Sequence, residues 1–212
     1  QVSGSWSASA VRYNGAPLSG GNSAVSLANL GLGHGFEVAS ILELEATLNT
    51  EKTGGVVFDY YGPDNFKFAA IDAAADKILI GHYTNKSGWV TDATYAMTID
   101  AGVGYVLNLS LKGTTVSASV KKVGAAGWQG IAGFVFNAVT VDGAFGLLSK
   151  DSSSSFDTVK VKTNDPAFVQ NLMAAAPAQG TADATASITS ADLGAIVDEA
   201  IERWSESNLL DE

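Results

Sequence analysis

The chain has 212 residues, a formal net charge of −10, 23 glycines, 4 prolines and no cysteine. Without cysteine there is no disulfide framework, no thiolate metal site and no cysteine nucleophile. The acidic balance opposes binding to nucleic-acid phosphates, and no apolar run approaches the ~20 residues needed to span a bilayer.

The length suits one all-β domain plus a smaller segment, and abundant Gly, Ser, Thr, Ala and Val with little Pro suit short strands joined by tight turns. Low Lys content beside abundant Ser, Thr and Asn reads as an exported rather than a cytosolic chain. It opens at Gln1 with neither a basic nor an apolar leader, which reads as a mature product or an excised piece. The charge is uneven: residues 183–212 hold eight acids against Arg203, which marks a boundary before the C-terminal segment.

In chain order, residues 1–35 carry scattered apolar side chains among Ser, Gly and Asn, and predict edge strands and loops, with Trp6 as a core anchor. From Phe36 to Leu48 a period of two is regular: Phe36, Val38, Ser40, Leu42, Leu44, Ala46 and Leu48 share one face of a long strand. Glu43 and Glu45 share the other face, and two carboxylates so placed can serve a glycosidase. The third acid two residues on is replaced by Thr47, so the pair reads as solvent-facing.

Val56–Tyr61, Phe66–Ile71 and Lys77–Tyr83 then predict an antiparallel meander, with Phe58, Tyr60, Phe66 and Phe68 alternating with smaller residues. Its turns are Gly62-Pro63-Asp64-Asn65 and Asp72–Asp76. His82 and His34 are far apart and have no metal-ligand spacing. Further strands are predicted at 94–100, 105–111, 114–123, 134–141, 143–149 and 156–162, with a hairpin about Lys112-Gly113 and a loop at 124–130 that carries Trp128.

After Thr163 the character changes. Residues 166–176 predict a short helix, 177–187 a small-residue linker, and 189–212 an acidic amphipathic helix. Leu193, Ile196, Val197, Ile201 and Trp204 form its apolar stripe. Such a helix cannot bury that stripe alone, so it predicts docking on a neighbouring domain or subunit. The organisation expected is thus a sandwich over 1–163, a short helix and linker over 164–188, and the helix over 189–212.

The series VVFDYYGPDNFKFAAID, ILIGHY, YVLNLSLKGTTVSASV and GAFGLLSKDSSSSFDTVKV resembles the laminin-G-like, concanavalin-A-like jelly roll of large bacterial extracellular, adhesin-type proteins. The resemblance covers about residues 36–163. It implies two antiparallel sheets face to face, one curved, with ligands on the concave sheet or at a rim. Mapped onto this chain, it points to Tyr60, Tyr61, Asp64, Asn65, His82, Tyr83, Trp89 and Trp128, residue types that suit carbohydrate.

The resemblance also implies Ca2+, with Asp157 as a ligand and Glu37 or a backbone carbonyl as its partner. The expectation is therefore an all-β, antiparallel two-sheet jelly roll with a C-terminal helix. It would act outside the cell or at its surface as a non-catalytic module, with calcium-assisted recognition of a glycan or cell-surface ligand as the mechanism expected. The alternatives are a spacer or a self-assembling filament or surface-layer subunit docking through the helix, and, third, a glycoside hydrolase.

Overall fold

The computed structural model describes residues 1–19, 22–30 and 36–168. They form thirteen strands in two antiparallel sheets. The first six are β1 (Ser5–Ala8), β2 (Tyr13–Ala16), β3 (Ser23–Leu27), β4 (Ile41–Thr50), β5 (Thr53–Gly62) and β6 (Asn65–Asp72). They are followed by β7 (Lys77–Thr84), β8 (Gly88–Ala96), β9 (Tyr105–Lys112), β10 (Thr115–Lys122), β11 (Gly130–Val135), β12 (Ala144–Lys150) and β13 (Ser154–Thr163).

The order β1-β2-β13-β4-β9-β10-β11 makes a seven-stranded sheet, and β3-β12-β5-β6-β7-β8 a six-stranded one. The two stacked antiparallel sheets make a β-sandwich. Among the described residues no helix is long and apolar enough to cross a membrane. The predicted helix with Leu193, Ile196, Val197, Ile201 and Trp204 lies outside the described residues, as do His34 and all but the first turn of the helix expected at 166–176.

Strict alternation builds the inter-sheet core. Leu42, Leu44, Ala46 and Leu48 of β4 are buried while their neighbours are not, as a period of two requires. They meet Val56, Phe58, Ala69, Ile71, Ile78 and Ile80 from the other sheet. Trp6 is buried in this cluster and stacks on Tyr13 at 5.0 Å.

The strand expected from Phe36 begins only at Ile41. Glu37–Ser40 make a turn instead, closed by the Ser40 amide on the Glu37 carbonyl and by Asp165. The Asp165 carboxylate is 1% exposed and accepts from the Glu37 amide and the Ser40 hydroxyl, both at 2.7 Å. A carboxylate bonded in this way satisfies the backbone locally, so the period-two pattern over 36–40 never becomes a ladder. Val38 is left in solvent. Phe168, past the last strand, stacks on Phe36 at 5.7 Å and so closes the same end.

Two other boundaries move. The strand expected at 94–100 spans Gly88–Ala96, and the one expected at 134–141 spans Gly130–Val135. In both cases the ladder partner sets the limits: β8 pairs with β7 from Thr84 to Lys77, and β11 with β10 from Val120 to Thr115.

The six-stranded sheet is apolar on both faces. A second cluster, Val25, Val57, Phe66, Phe68, Ala70, Leu79 and Leu148, is drawn from that sheet alone and lies on its outer side. The backbones there approach closely: a Cβ on Gly55 would stand 2.2 Å from the Ala69 carbonyl oxygen, and one on Gly81 2.5 Å from the Phe68 ring. Gly55→Ala is therefore expected to lower the unfolding free energy by about 1–3 kcal/mol. Gly62→Ala, where nothing lies within 4 Å, should change it far less. Urea unfolding of the two variants checks this, and equal stabilities would contradict it.

Candidate functional site

One break in a strand organises the candidate site. In β5, Phe58 and Tyr60 would share a face under strict alternation. Instead Phe58 packs in the inter-sheet core and Tyr60 in the outer cluster. Asp59 between them has a left-handed backbone, φ 48°, and both flanking ladders slip here, β5 with β6 between Phe58 and Gly62 and β5 with β12 between Ala144 and Gly146. This is a β-bulge, and it turns Tyr60 outward.

On the outer face Tyr60 joins three more aromatics. Its ring stacks on Phe66 at 5.5 Å, Phe66 stacks on Tyr83 at 5.2 Å, and Trp89 stands edge-on to Phe66 at 5.5 Å and to Phe68 at 5.1 Å. The Lys150 Nζ sits 5.3 Å from the Trp89 ring centroid, a cation–π contact that holds the indole in place.

The four aromatics wall a cavity of about 370 Å³, completed by Val25, Pro63 and Gly88 and by the polar side chains of Ser3, Asn22 and Ser23. Gly88, at φ 66°, has open space around its Cα. Tyr60 is 8% exposed, and its hydroxyl is buried with no hydrogen-bond partner among the described residues. Burial, and then the Asp64 carboxylate, push this phenol up from its usual value, so it stays a neutral donor.

The expected site residues thus divide. Tyr60, Tyr83 and Trp89 are brought together, with Asp64 close enough to act on the Tyr60 phenol. Asn65 is exposed in the ladder opposite Thr84. His82, one residue before Tyr83, falls on the other side of β7, where its Nδ1 lies 2.7 Å from an Asp92 carboxylate oxygen. Trp128 stands apart, exposed, with the Lys121 Nζ 5.0 Å from its ring centroid. Phe66 was not singled out from the sequence, although its alternation with Phe68 was the available signal.

Tyr61 belongs to a second polar group behind the bulge. Asp59 is 2% exposed and its carboxylate pairs with Lys67, whose Nζ also lies over the Phe136 ring. One oxygen of Asp59 and one of Asp142 are buried without a geometrically formed hydrogen bond. The Tyr61 phenol stands against both acids while its ring faces solvent. Partial burial first, then the Asp142 and Asp59 carboxylates, push the phenol well up from its usual value.

Asp157 and Glu37 do not meet. Glu37 is anchored at Asp165, beyond the end of β13, whereas Asp157 is exposed near the start of that strand, in the bulge between Phe156 and Val159. Six residues of extended chain, roughly 20 Å, separate Asp157 from Thr163. Among the described residues no three His, Asp or Glu side chains gather as ligands for one metal ion, so the calcium pair read from the resemblance is not formed. Glu43 and Glu45 lie on the polar face of β4, and Glu45 pairs with Lys160 at 2.9 Å.

No protein-family model matches the chain, and no curated protein matches it by sequence. Solved structures do match in fold. Carbohydrate-binding module CBM66 from Bacillus subtilis superposes with a TM-score of 0.60 at 18% identity, covering 75% of this chain and 91% of that one. The exoplasmic/lumenal domain of VIP36 superposes in a Ca2+/Man-bound form with a TM-score of 0.51 at 9% identity, covering 76% and 81%. Its Ca2+/Man3GlcNAc-bound form gives 0.51 at 11%, covering 75% and 81%.

An unfolded tyrosine titrates near about pH 10, and folded Tyr61 titrates higher. Above about pH 10 the folded chain therefore keeps a proton that the unfolded chain has released. The stabilisation is complete below that pH and is lost as pH rises from there through the folded value. Denaturant unfolding at about pH 9 and 11 should show a smaller alkaline loss for Tyr61→Phe than for the native chain, and identical losses would rule the coupling out.

Proposed function

We propose that this chain is a non-catalytic glycan-binding module whose site is the outer-face cavity walled by Tyr60, Phe66, Tyr83 and Trp89. The observation that carries the reading is the Tyr60 hydroxyl, a buried donor with no partner among the described residues, on a ring that lines a cavity walled by aromatics. An unpartnered buried hydroxyl costs about 1–3 kcal/mol, a cost removed when the ring shifts enough to meet a ligand hydroxyl. The ring faces take the apolar face of a sugar, and Ser3, Asn22 and Ser23 stand at the edge for further hydroxyls.

The fold match to a carbohydrate-binding module and to a mannose-bound domain supports the same reading. Among the described residues no charged side chain lines the cavity, which suits a neutral sugar. Asp157 and Glu37 are apart and neither lines the cavity, so calcium assistance would draw on other ligands. A module of this composition works outside the cell or at its surface.

Tyr60→Phe separates binding from stability. Deleting the orphan hydroxyl keeps the ring and removes a desolvated polar atom, so the variant is expected to be as stable as the native chain or more so. Its affinity for the glycan should fall about tenfold, the equivalent of about 1.4 kcal/mol. Trp89→Ala removes a wall and should weaken binding about thirtyfold or more. A neutral-glycan array followed by calorimetry on the best binder reads both. Full affinity in Tyr60→Phe would remove the basis of the assignment.

A further inference from the structure

The aromatic cavity has a neighbour on the same sheet. A second cavity, of about 620 Å³, opens at the far end of β5 and β6, where Thr53, Asp72, Asp151 and Lys52 supply polar groups and the 151–153 turn forms a wall. Asn22 lines both cavities. Lys150 joins them as well: its Nζ pairs with the Asp151 carboxylate at the second cavity and lies over the Trp89 ring at the first. Along β6 the distance from Phe66 to Asp72 is six residues, roughly 20 Å.

The second cavity differs in kind from the first, since among the described residues its lining has charged side chains and no aromatic ring. Asp72 already uses one carboxylate oxygen to accept from the Ala74 and Ala75 amides at 3.0 Å each, which fixes the side chain. Asp151 is likewise held, by its left-handed backbone (φ 60°) and by Lys150. The remaining carboxylate oxygens are acceptors for hydroxyls, and Lys52 is a donor beside them. The charges of Asp72 and Asp151 are matched by Lys52 and Lys150, so the run of the two cavities favours neither an anionic nor a cationic ligand.

Resting on the glycan-binding reading, we infer that the ligand is a linear neutral oligosaccharide bound lengthwise. One sugar stacks in the aromatic cavity, and the chain continues past Asn22 and Lys150 into the polar cavity. The aromatic end supplies most of the affinity, and the polar end measures chain length.

The test uses disaccharides and hexasaccharides of glucose, mannose, xylose and fructose, titrated into the full chain and three variants. The native chain is expected to bind one hexasaccharide at least tenfold more tightly than its disaccharide. Ser153→Trp, at an exposed turn position in the second cavity, should bring the hexasaccharide to the disaccharide's affinity and leave the disaccharide unchanged. Asp72→Asn keeps the side-chain oxygen that accepts from the Ala74 and Ala75 amides and should weaken only the hexasaccharide. Trp89→Ala should weaken both lengths.

Equal affinity for the two lengths in the native chain would overturn lengthwise binding and leave the aromatic site standing. A length preference untouched by Ser153→Trp and by Asp72→Asn would overturn the role of the second cavity. No binding of any of these sugars would overturn both readings.

Discussion

A β-sandwich hides one face of each sheet against the other, and here the six-stranded sheet is apolar on both. The outer side carries Val57, Phe68, Ala70, Leu79 and Leu148, all buried, so something other than the partner sheet must cover them. The cover is made largely of the sheet's own long side chains. Trp89 folds inward across Phe66 and Phe68, and Lys150 reaches over the indole. The floor beneath is kept low by Gly55, Ala70 and Gly81, where added side chains would strike backbone or the Phe68 ring. Aromatic rings used as a cover still present edges and faces to solvent, so the demand for burial and the capacity for stacking are met by the same residues.

The bulge at Asp59 converts that cover into a cavity. Without it Tyr60 would point into the inter-sheet core beside Phe58. With it the phenol is carried outward, and its hydroxyl ends where no group among the described residues answers it. The local cost is visible in the left-handed Asp59 and in Gly143, where a Cβ would stand 2.6 Å from the Asp59 backbone. The Lys67 pair and the protonated Tyr61 phenol hold the bulge from behind. A substitution at Gly143 thus acts on the outer cavity through the bulge, although Gly143 lies outside its lining.

Much of this architecture was legible in the chain because β-structure repeats every two residues. Leu42 to Leu48 announce their buried face, and the Pro63-Asp64 and Gly113 turns announce their hairpins. What sequence could not show is where parity fails. The Asp165 carboxylate, more than a hundred residues away, ends the alternation of Phe36–Ser40 before it becomes strand.

The same limit divides the binding residues. Tyr60 and Tyr61, or His82 and Tyr83, are adjacent in sequence and belong to opposite sides of a sheet. Spacing alone groups them, and only the register of β5, β6 and β7 separates them. Asp59 gave no local sign, since a Phe-Asp-Tyr run reads as ordinary strand until both neighbouring ladders slip. Asp157 and Glu37 were joined by resemblance, and the length of β13 holds them apart.

The two outer cavities also differ in what they can contribute. Rings packed against one another in the folded chain are already fixed, so stacking a sugar on them costs little further ordering. Hydroxyl bonds to Asp72, Asp151 and Lys52 exchange for bonds to water and return little net energy each, yet they depend strictly on where a hydroxyl falls. A surface built of one such cavity alone would bind many sugars weakly or register their geometry without holding them. Adjoining at Asn22 and bridged by Lys150, the aromatic cavity retains the chain while the polar one discriminates by length and by the orientation of its hydroxyls.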